Sequence, residues 1–378
     1  MLRLLLFEMF TMRMIKRFLR SSEFVALIAI FATFFLLLHT RDLHSRLKEM
    51  ENKLQPDELS GPPSMVTGES GVSSVTSIML QLAESGQMVS DAYSLNNTRK
   101  SLKDMMFFNR VPKVGSQTFM ELLRRLSMVH KFEFYRDKMQ RLETIRLPPP
   151  EQLGLASMID NYQAPGVFIK HVCHINFSSF DLPDPIYINV VRDPVERVIS
   201  WYYYVRAPWY YVERKQAFPD LPLPDPMWLK KDYETCVTSH DKECQYNQGV
   251  TKEGIGDHRR QSMFFCGHSE DCTPFNSAEA VEKAKRVVDE QYAVVGVLED
   301  MNITLTVLEH YIPRFFKGAA DIYYSHMEEF RRINKNIYKP PVGEEIKDIV
   351  RKNFTREIEF YQFCRQRLHK QFLALKLP

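Results

Sequence analysis

Residues 107–119 read FFNRVPKVGSQTF. Lys113, Gly115, Ser116 and Thr118 are the residue types of an anion-holding loop: a full positive charge, a glycine that lets backbone approach a ligand, and two hydroxyls. The spacing is not G-x-x-x-x-G-K-[ST], so this is no Walker A loop. A short apolar run, Met105 to Phe108, precedes it, and Phe119, Leu122, Leu123 and Leu126 follow at the spacing of one helical face. The loop therefore joins a strand to a helix. Ser116 or Thr118 is expected to cap that helix, with first-turn amides and Lys113 facing a phosphate or sulfate. The plain alternative is an ordinary capped turn.

Two further stretches carry chemistry. In INVVRDPVERVISWYYY, residues 188–204, Arg192 follows a strong strand. Asp193, Pro194 and Glu196 then spell a helix start: an Asp N-cap, Pro at the first turn and Glu completing a capping box. Asp193 and Glu196 are thus read as structural, Arg192 as a strand-end phosphate contact or an ion-pair residue, and Ser200 as two turns further along the helix. In KHVCHINF, residues 170–177, His171 and His174 stand at or just after a strand end. Extended backbone points them to opposite faces, so one of them is expected at the site. A neutral histidine there suits a general base for an alcohol, against the plain reading of a core histidine.

The elements that must position these residues alternate. Strand-like runs at Met105 to Phe108, Val167 to Val172, Ile186 to Val191 and Ala293 to Val297 are separated by amphipathic helical stretches, and 344–375 reads as helical packing. That alternation predicts an α/β domain with a mainly parallel sheet, whose ligands gather at the C-terminal ends of strands. The chain is 44% hydrophobic and 26% charged, an ordinary globular balance, and a net charge of +3 is too small to argue for nucleic acid. Basic pairs such as Arg124-Arg125, Lys230-Lys231 and Arg331-Arg332 fit solvated faces or a polyanionic substrate.

Before this domain, Phe24 to Leu38 is a charge-free apolar run preceded by Arg13, Lys16, Arg17 and Arg20. It is short against the about 20 residues of a plasma-membrane span, but thinner early-secretory bilayers accept shorter ones. No A-x-A-like site follows it. We therefore read 1–23 as a cytosolic tail, 24–40 as an uncleaved signal anchor, 41–104 as a stem and 105–378 as a lumenal domain; a cleaved signal or a core helix is the alternative. The sequons at Asn96, Asn176, Asn302 and Asn353 agree with a lumenal body. So do the close pairs Cys236/Cys244 and Cys266/Cys272, which fit local disulfides better than zinc spacing and leave Cys173 and Cys364 free. No metal motif is present.

NRVPKVGSQTF, YINVVRDPVERVISWYYY, MFFCGHSEDC, GVLED and IPRFFKGA together resemble the Golgi 2-O-sulfotransferases, which include heparan sulfate and uronyl enzymes. The resemblance covers roughly 105–378, and the anchor with HSRLKEMENKLQP is most similar to the insect member. It implies a P-loop-like sulfotransferase fold, the donor 3′-phosphoadenosine 5′-phosphosulfate (PAPS), an acceptor that is a uronic acid or related sugar in a heparan, dermatan or chondroitin chain or a glycoprotein glycan, Golgi location and a homotrimer. By motif, it makes Lys113 catalytic, with Gly115, Ser116, Gln117 and Thr118 around the 5′-phosphosulfate. Arg192 and Ser200 match the 3′-phosphate ligands, and His171 the base that deprotonates a sugar 2-hydroxyl. Arg110 falls on the acceptor side, and Arg332 and Lys335 in a late basic loop near donor or acceptor.

Departures from the family pattern bear on the acceptor. Ile169 stands where the heparan enzyme has a second histidine, and Gly115 replaces a small loop alanine. Residues 205–232 are longer, aromatic and proline-rich rather than basic, and 247–258 is extra. Two other readings remain at this stage: a catalytically inactive glycan-binding relative, and a type II Golgi glycosyltransferase, for which a D-x-D metal motif is missing.

Overall fold

The computed structural model describes residues 91–375, apart from 139, 142, 143, 252–257, 335, 337 and 338. The anchor, the stem reading up to residue 90 and Lys335 lie outside the described residues. Among the described residues, no helix is long and apolar enough to cross a membrane.

Five parallel strands form one sheet: β1 (Met105–Phe108), β2 (Glu133–Arg136), β3 (Gly166–Ile169), β4 (Ile186–Val191) and β5 (Tyr292–Val297), in the order β2-β3-β1-β4-β5. Every residue of β1, β3, β4 and β5 is buried, which explains their continuous apolar runs. The parallel sheet and its flanking helices agree with the expected class. From β1 the chain runs outward to the edge strand β2 and returns through β3. From β4 it runs the opposite way, to β5. The neighbouring C-terminal ends of β1 and β4 therefore border the point where the winding reverses, the place where open α/β sheets hold ligands.

The helices that matter to the site are α1 (Ser116–His130), α2 (Pro149–Asp160), α3 (Pro194–Tyr204), α4 (Pro208–Ala217), α5 (Ala278–Gln291), α6 (Met301–Tyr311), α7 (Met327–Asn334), α8 (Glu344–Arg351) and α9 (Thr355–Ala374). Phe119, Leu122, Leu123 and Leu126 of α1 are buried, as their spacing predicts. The C-terminal helical stretch is two helices, α8 and α9. At β5, Gly296 permits a close approach of α6: a Cβ there would lie 2.4 Å from Thr304 Cγ2. Thr304 Oγ1 accepts from Val297 N–H at 2.9 Å and so ties helix to strand.

The folded region begins earlier than the expected residue 105. Asn97 Nδ2 donates to the carbonyls of Asp289 (2.8 Å) and Tyr292 (2.9 Å), fixing the segment before β1 to the start of β5. The structure pairs Cys236 with Cys244 and Cys266 with Cys272, at Cα separations of 5.8 and 5.7 Å, and leaves Cys173 and Cys364 buried outside any disulfide. Asn176, Asn302 and Asn353 are exposed. Asn96 is half-buried, and its Oδ1 accepts from Thr98 N–H and Oγ1–H.

Candidate active site

A buried polar network gathers the strand ends. Asn189 of β4 donates to the Asn109 carbonyl at 2.8 Å, and Tyr292 Oη donates to Asn109 Oδ1 at 2.7 Å. Asn109 Nδ2 reaches the Phe264 carbonyl at 3.0 Å. The segment after β1, which leads into the Lys113 loop, is thereby tied to β4, to the start of β5 and to Phe264. Removing one partner of such a network leaves buried polar groups unsatisfied, so the loop is firmly seated.

The loop ends at Gly115, in the left-handed region at φ 77°, and Gly115 is itself the N-cap of α1. Among the described residues no side-chain cap is found on that helix. The expectation that Ser116 or Thr118 does so is wrong. Both are helical and buried, and Thr118 Oγ1 instead donates to the Phe330 carbonyl of α7 at 3.5 Å. First-turn amides lack intrahelical acceptors by geometry, so an uncapped N-terminus keeps donors and partial positive charge for an anion. A Cβ at Gly115 would also sit 2.6 Å from Leu298 Cδ1. Gln117 is exposed.

Lys113 also adopts positive φ, at 67°. Its Nζ lies 3.9 Å from the centre of the Tyr204 ring. Burial, with Arg192 and Lys339 nearby, lowers its pKa to about 7. An incoming phosphate would reverse that shift by supplying the missing negative charge.

Arg192 follows β4. Its Nη1 donates to the Lys113 carbonyl (3.3 Å) and its Nη2 reaches Glu196 (3.4 Å). Its Nε is buried with no hydrogen-bond partner among the described residues. Gln261 fixes the arginine's backbone on both sides, accepting from Arg192 N–H at 3.3 Å and donating to its carbonyl at 2.9 Å. Asp193 caps α3, accepting from Val195 and Glu196 N–H. The capping box is only half formed, because the Asp193 N–H goes to Glu299 at 3.1 Å. Glu196 turns outward instead and holds Lys339 (3.3 Å) and Lys347 (3.0 Å) as well as Arg192. Its carboxyl is kept below the usual range by those cations, against the effect of burial.

Glu196, Ser200 and Tyr204 are spaced i, i+4, i+8 and share one face of α3. The ends of that face touch Arg192 and Lys113, so half-buried Ser200 stands between the two cations along the helix.

His171 lies just past β3, which ends at Ile169 rather than the expected Val172. Its Nδ1 donates to the carbonyl of Arg110 at 2.8 Å, on the Lys113 loop itself. That bond leaves the Nε2 lone pair for proton transfer. Burial first, then Arg110, holds its pKa well below the usual histidine value, so the ring is neutral. His174 goes the other way, into the core against Tyr187 (4.9 Å) and Tyr292 (5.8 Å). Arg110 is half-buried, with its Nη1 3.7 Å from Met120 Sδ.

Arg332 is exposed on α7, and no hydrogen bond or ion pair among the described residues joins it to Lys113 or Arg192. Among the described residues, Lys339 and Lys347 are late cations that do reach the cluster, through Glu196. Sequence reading missed Lys339, Gln261 and Tyr204. The first two come from distant segments; Tyr204 stood in the quoted motif, and its i+4 step from Ser200 was a usable signal.

The arrangement sets two cations and a helix start beside a neutral histidine tethered to the same loop, a geometry suited to moving a group that carries negative oxygens. Residues 97–364 match the Sulfotransferase family, and the chain belongs to that family and is a sulfotransferase. It is similar to the uronyl 2-sulfotransferase homolog pip of Drosophila melanogaster, 36% identical over 460 aligned positions that cover 94% of this chain and 90% of that one. It is 31% identical to the mouse uronyl 2-sulfotransferase, over 71% of this chain and 64% of that one. Against the chicken heparan sulfate 2-O-sulfotransferase 1 the identity is 29%, over 69% of each. The family match replaces the glycosyltransferase reading.

Proposed function

We propose that this enzyme moves a sulfuryl group from PAPS to the 2-hydroxyl of a uronic acid or related sugar in a glycosaminoglycan or glycoprotein glycan. Two observations carry the reading: the start of α1 at Gly115 beside Lys113, and the buried Nε of Arg192 that has no hydrogen-bond partner among the described residues. Both fit a donor with separate 5′ and 3′ phosphate groups. The relatives' names supply the acceptor class and the 2-position.

In this scheme the α1 amides and Lys113 bind the 5′-phosphosulfate, and Arg192 with Ser200 the 3′-phosphate. PAPS supplies an activated sulfur. His171 Nε2 takes the proton of the sugar hydroxyl as its oxygen bonds to sulfur. The sulfur–oxygen bond to the 5′-phosphate breaks, and Lys113 stabilises the charge that collects on that oxygen. Arg110, whose carbonyl orients His171, faces the acceptor. We further propose a type II Golgi protein anchored through 24–40, working as a homotrimer.

The test is labelled-sulfate transfer from PAPS to desulfated heparan, dermatan and chondroitin chains and to glycoprotein glycans. His171→Ala should lose turnover while still binding donor, and His174→Ala should retain the chemistry in whatever fraction folds. Loss confined to His174→Ala would reassign the base.

A further inference from the structure

The cations of residues 205–232 are largely occupied by the chain itself. Arg206 is buried between the rings of Tyr202 (3.4 Å) and Trp228 (4.0 Å), and its Nη2 pairs with Glu243 at 2.6 Å. It staples the two ends of the segment together. Lys231 pairs with Asp241, Lys215 donates to the Pro219 carbonyl, and Arg214 donates to the Arg141 carbonyl. Lys230 is exposed, two residues beyond Trp228.

What the stapled segment turns toward the site is aromatic. The Tyr204 ring lies under Lys113 Nζ, Trp209 meets Tyr204 edge-on at 5.1 Å, and Tyr210 does so at 5.0 Å. Trp209 is 37% exposed. Tyr211 Oη donates to the Val205 carbonyl at 2.5 Å and fixes α4 against the end of α3.

We propose that Tyr204, Trp209 and Tyr210 form a stacking platform for a pyranose ring of the acceptor, selecting a sparsely sulfated chain. A sugar presents a C–H face that suits an aromatic ring, whereas each added sulfate needs a cation to replace its water. Next to Lys113 this segment offers rings, whereas four of its five cations, Arg206, Arg214, Lys215 and Lys231, are engaged by other groups of the chain and Lys230 alone of the five is exposed without such a partner among the described residues. The proposal rests on the Lys113 site being the catalytic centre.

The test compares acceptor kinetics at saturating PAPS with a non-sulfated and a highly sulfated glycosaminoglycan oligosaccharide. Wild type should prefer the non-sulfated chain. Trp209→Ala should raise acceptor KM about tenfold with kcat little changed, and Trp209→Phe should restore most of it. Leu223→Ala, an exposed apolar change in the same segment, should leave KM unchanged. Equal KM in wild type and Trp209→Ala, a preference for the sulfated chain, or an equal defect in Leu223→Ala overturns the platform while leaving sulfotransfer intact. No transfer by wild type to either chain or to the wider glycan panel overturns the functional reading itself.

Discussion

The β1–α1 and β4–α3 junctions are neighbours built on one plan, each a buried parallel strand turning into a helix at the winding reversal. They end differently. At α1 the cap is Gly115, with no side chain, and the helix start stays open. At α3 the Asp193 carboxylate takes two first-turn amides and closes the helix start. An open start binds an anion with backbone donors; a closed one must use a side chain, and here Arg192 reaches forward to the other loop. In the proposed function these two junctions are phosphate seats of different chemistry, side by side, matching a donor with two unlike phosphate groups.

Removing the charge from the open junction should have the largest effect. Lys113→Ala should cut kcat by about 10²–10³-fold, the scale of losing a preorganised group at a developing oxyanion. Steady-state sulfate transfer measures it. At the other junction, Arg192→Ala should raise the PAPS KM by about one to two orders of magnitude, as expected for a hydrogen-bonded charge worth about 1.5–3 kcal/mol. Closing the open junction sterically should do less to chemistry and more to the fold. Gly115→Ala meets both the positive φ and Leu298, and should cost about 1–3 kcal/mol in denaturant unfolding. Asp193→Ala, which opens the closed junction, should cost only about 0.5–2 kcal/mol.

The comparison also predicts a pH signature. In the free enzyme Lys113 has its pKa lowered to about 7, so its charge is lost as pH rises through that value. kcat/KM for PAPS should fall there, while kcat, governed by the donor-bound state in which the lysine stays charged, should not. The acid limb should lie below the ordinary histidine range, because the His171 pKa is lowered.

Local information was enough for β1 and β4, whose bounds are those of their apolar runs, and for the Asp193 cap. Strand β2 was not legible. Glu133 and Arg136 are the exposed ends of an edge strand, and the four residues carry too little pattern. β3 was read too long because Val172 and Cys173 are buried past the strand, in segments whose register the sequence does not show. The capping box misled for a physical reason: Lys339 and Lys347 draw the Glu196 carboxylate outward, and neither is visible from the motif. The same long-range geometry hid Lys339 and left Arg332 exposed on a helix where a site residue was expected.

The most direct test of the open junction as donor seat is calorimetric titration with adenosine 3′,5′-bisphosphate, the product left by PAPS, in buffers of different ionisation enthalpy near pH 7. Binding should draw a proton onto Lys113, whose lowered pKa rises beside the 5′-phosphate, and Lys113→Ala should bind with correspondingly less proton uptake. Equal proton uptake by wild type and Lys113→Ala, or no binding by wild type, would contradict the account.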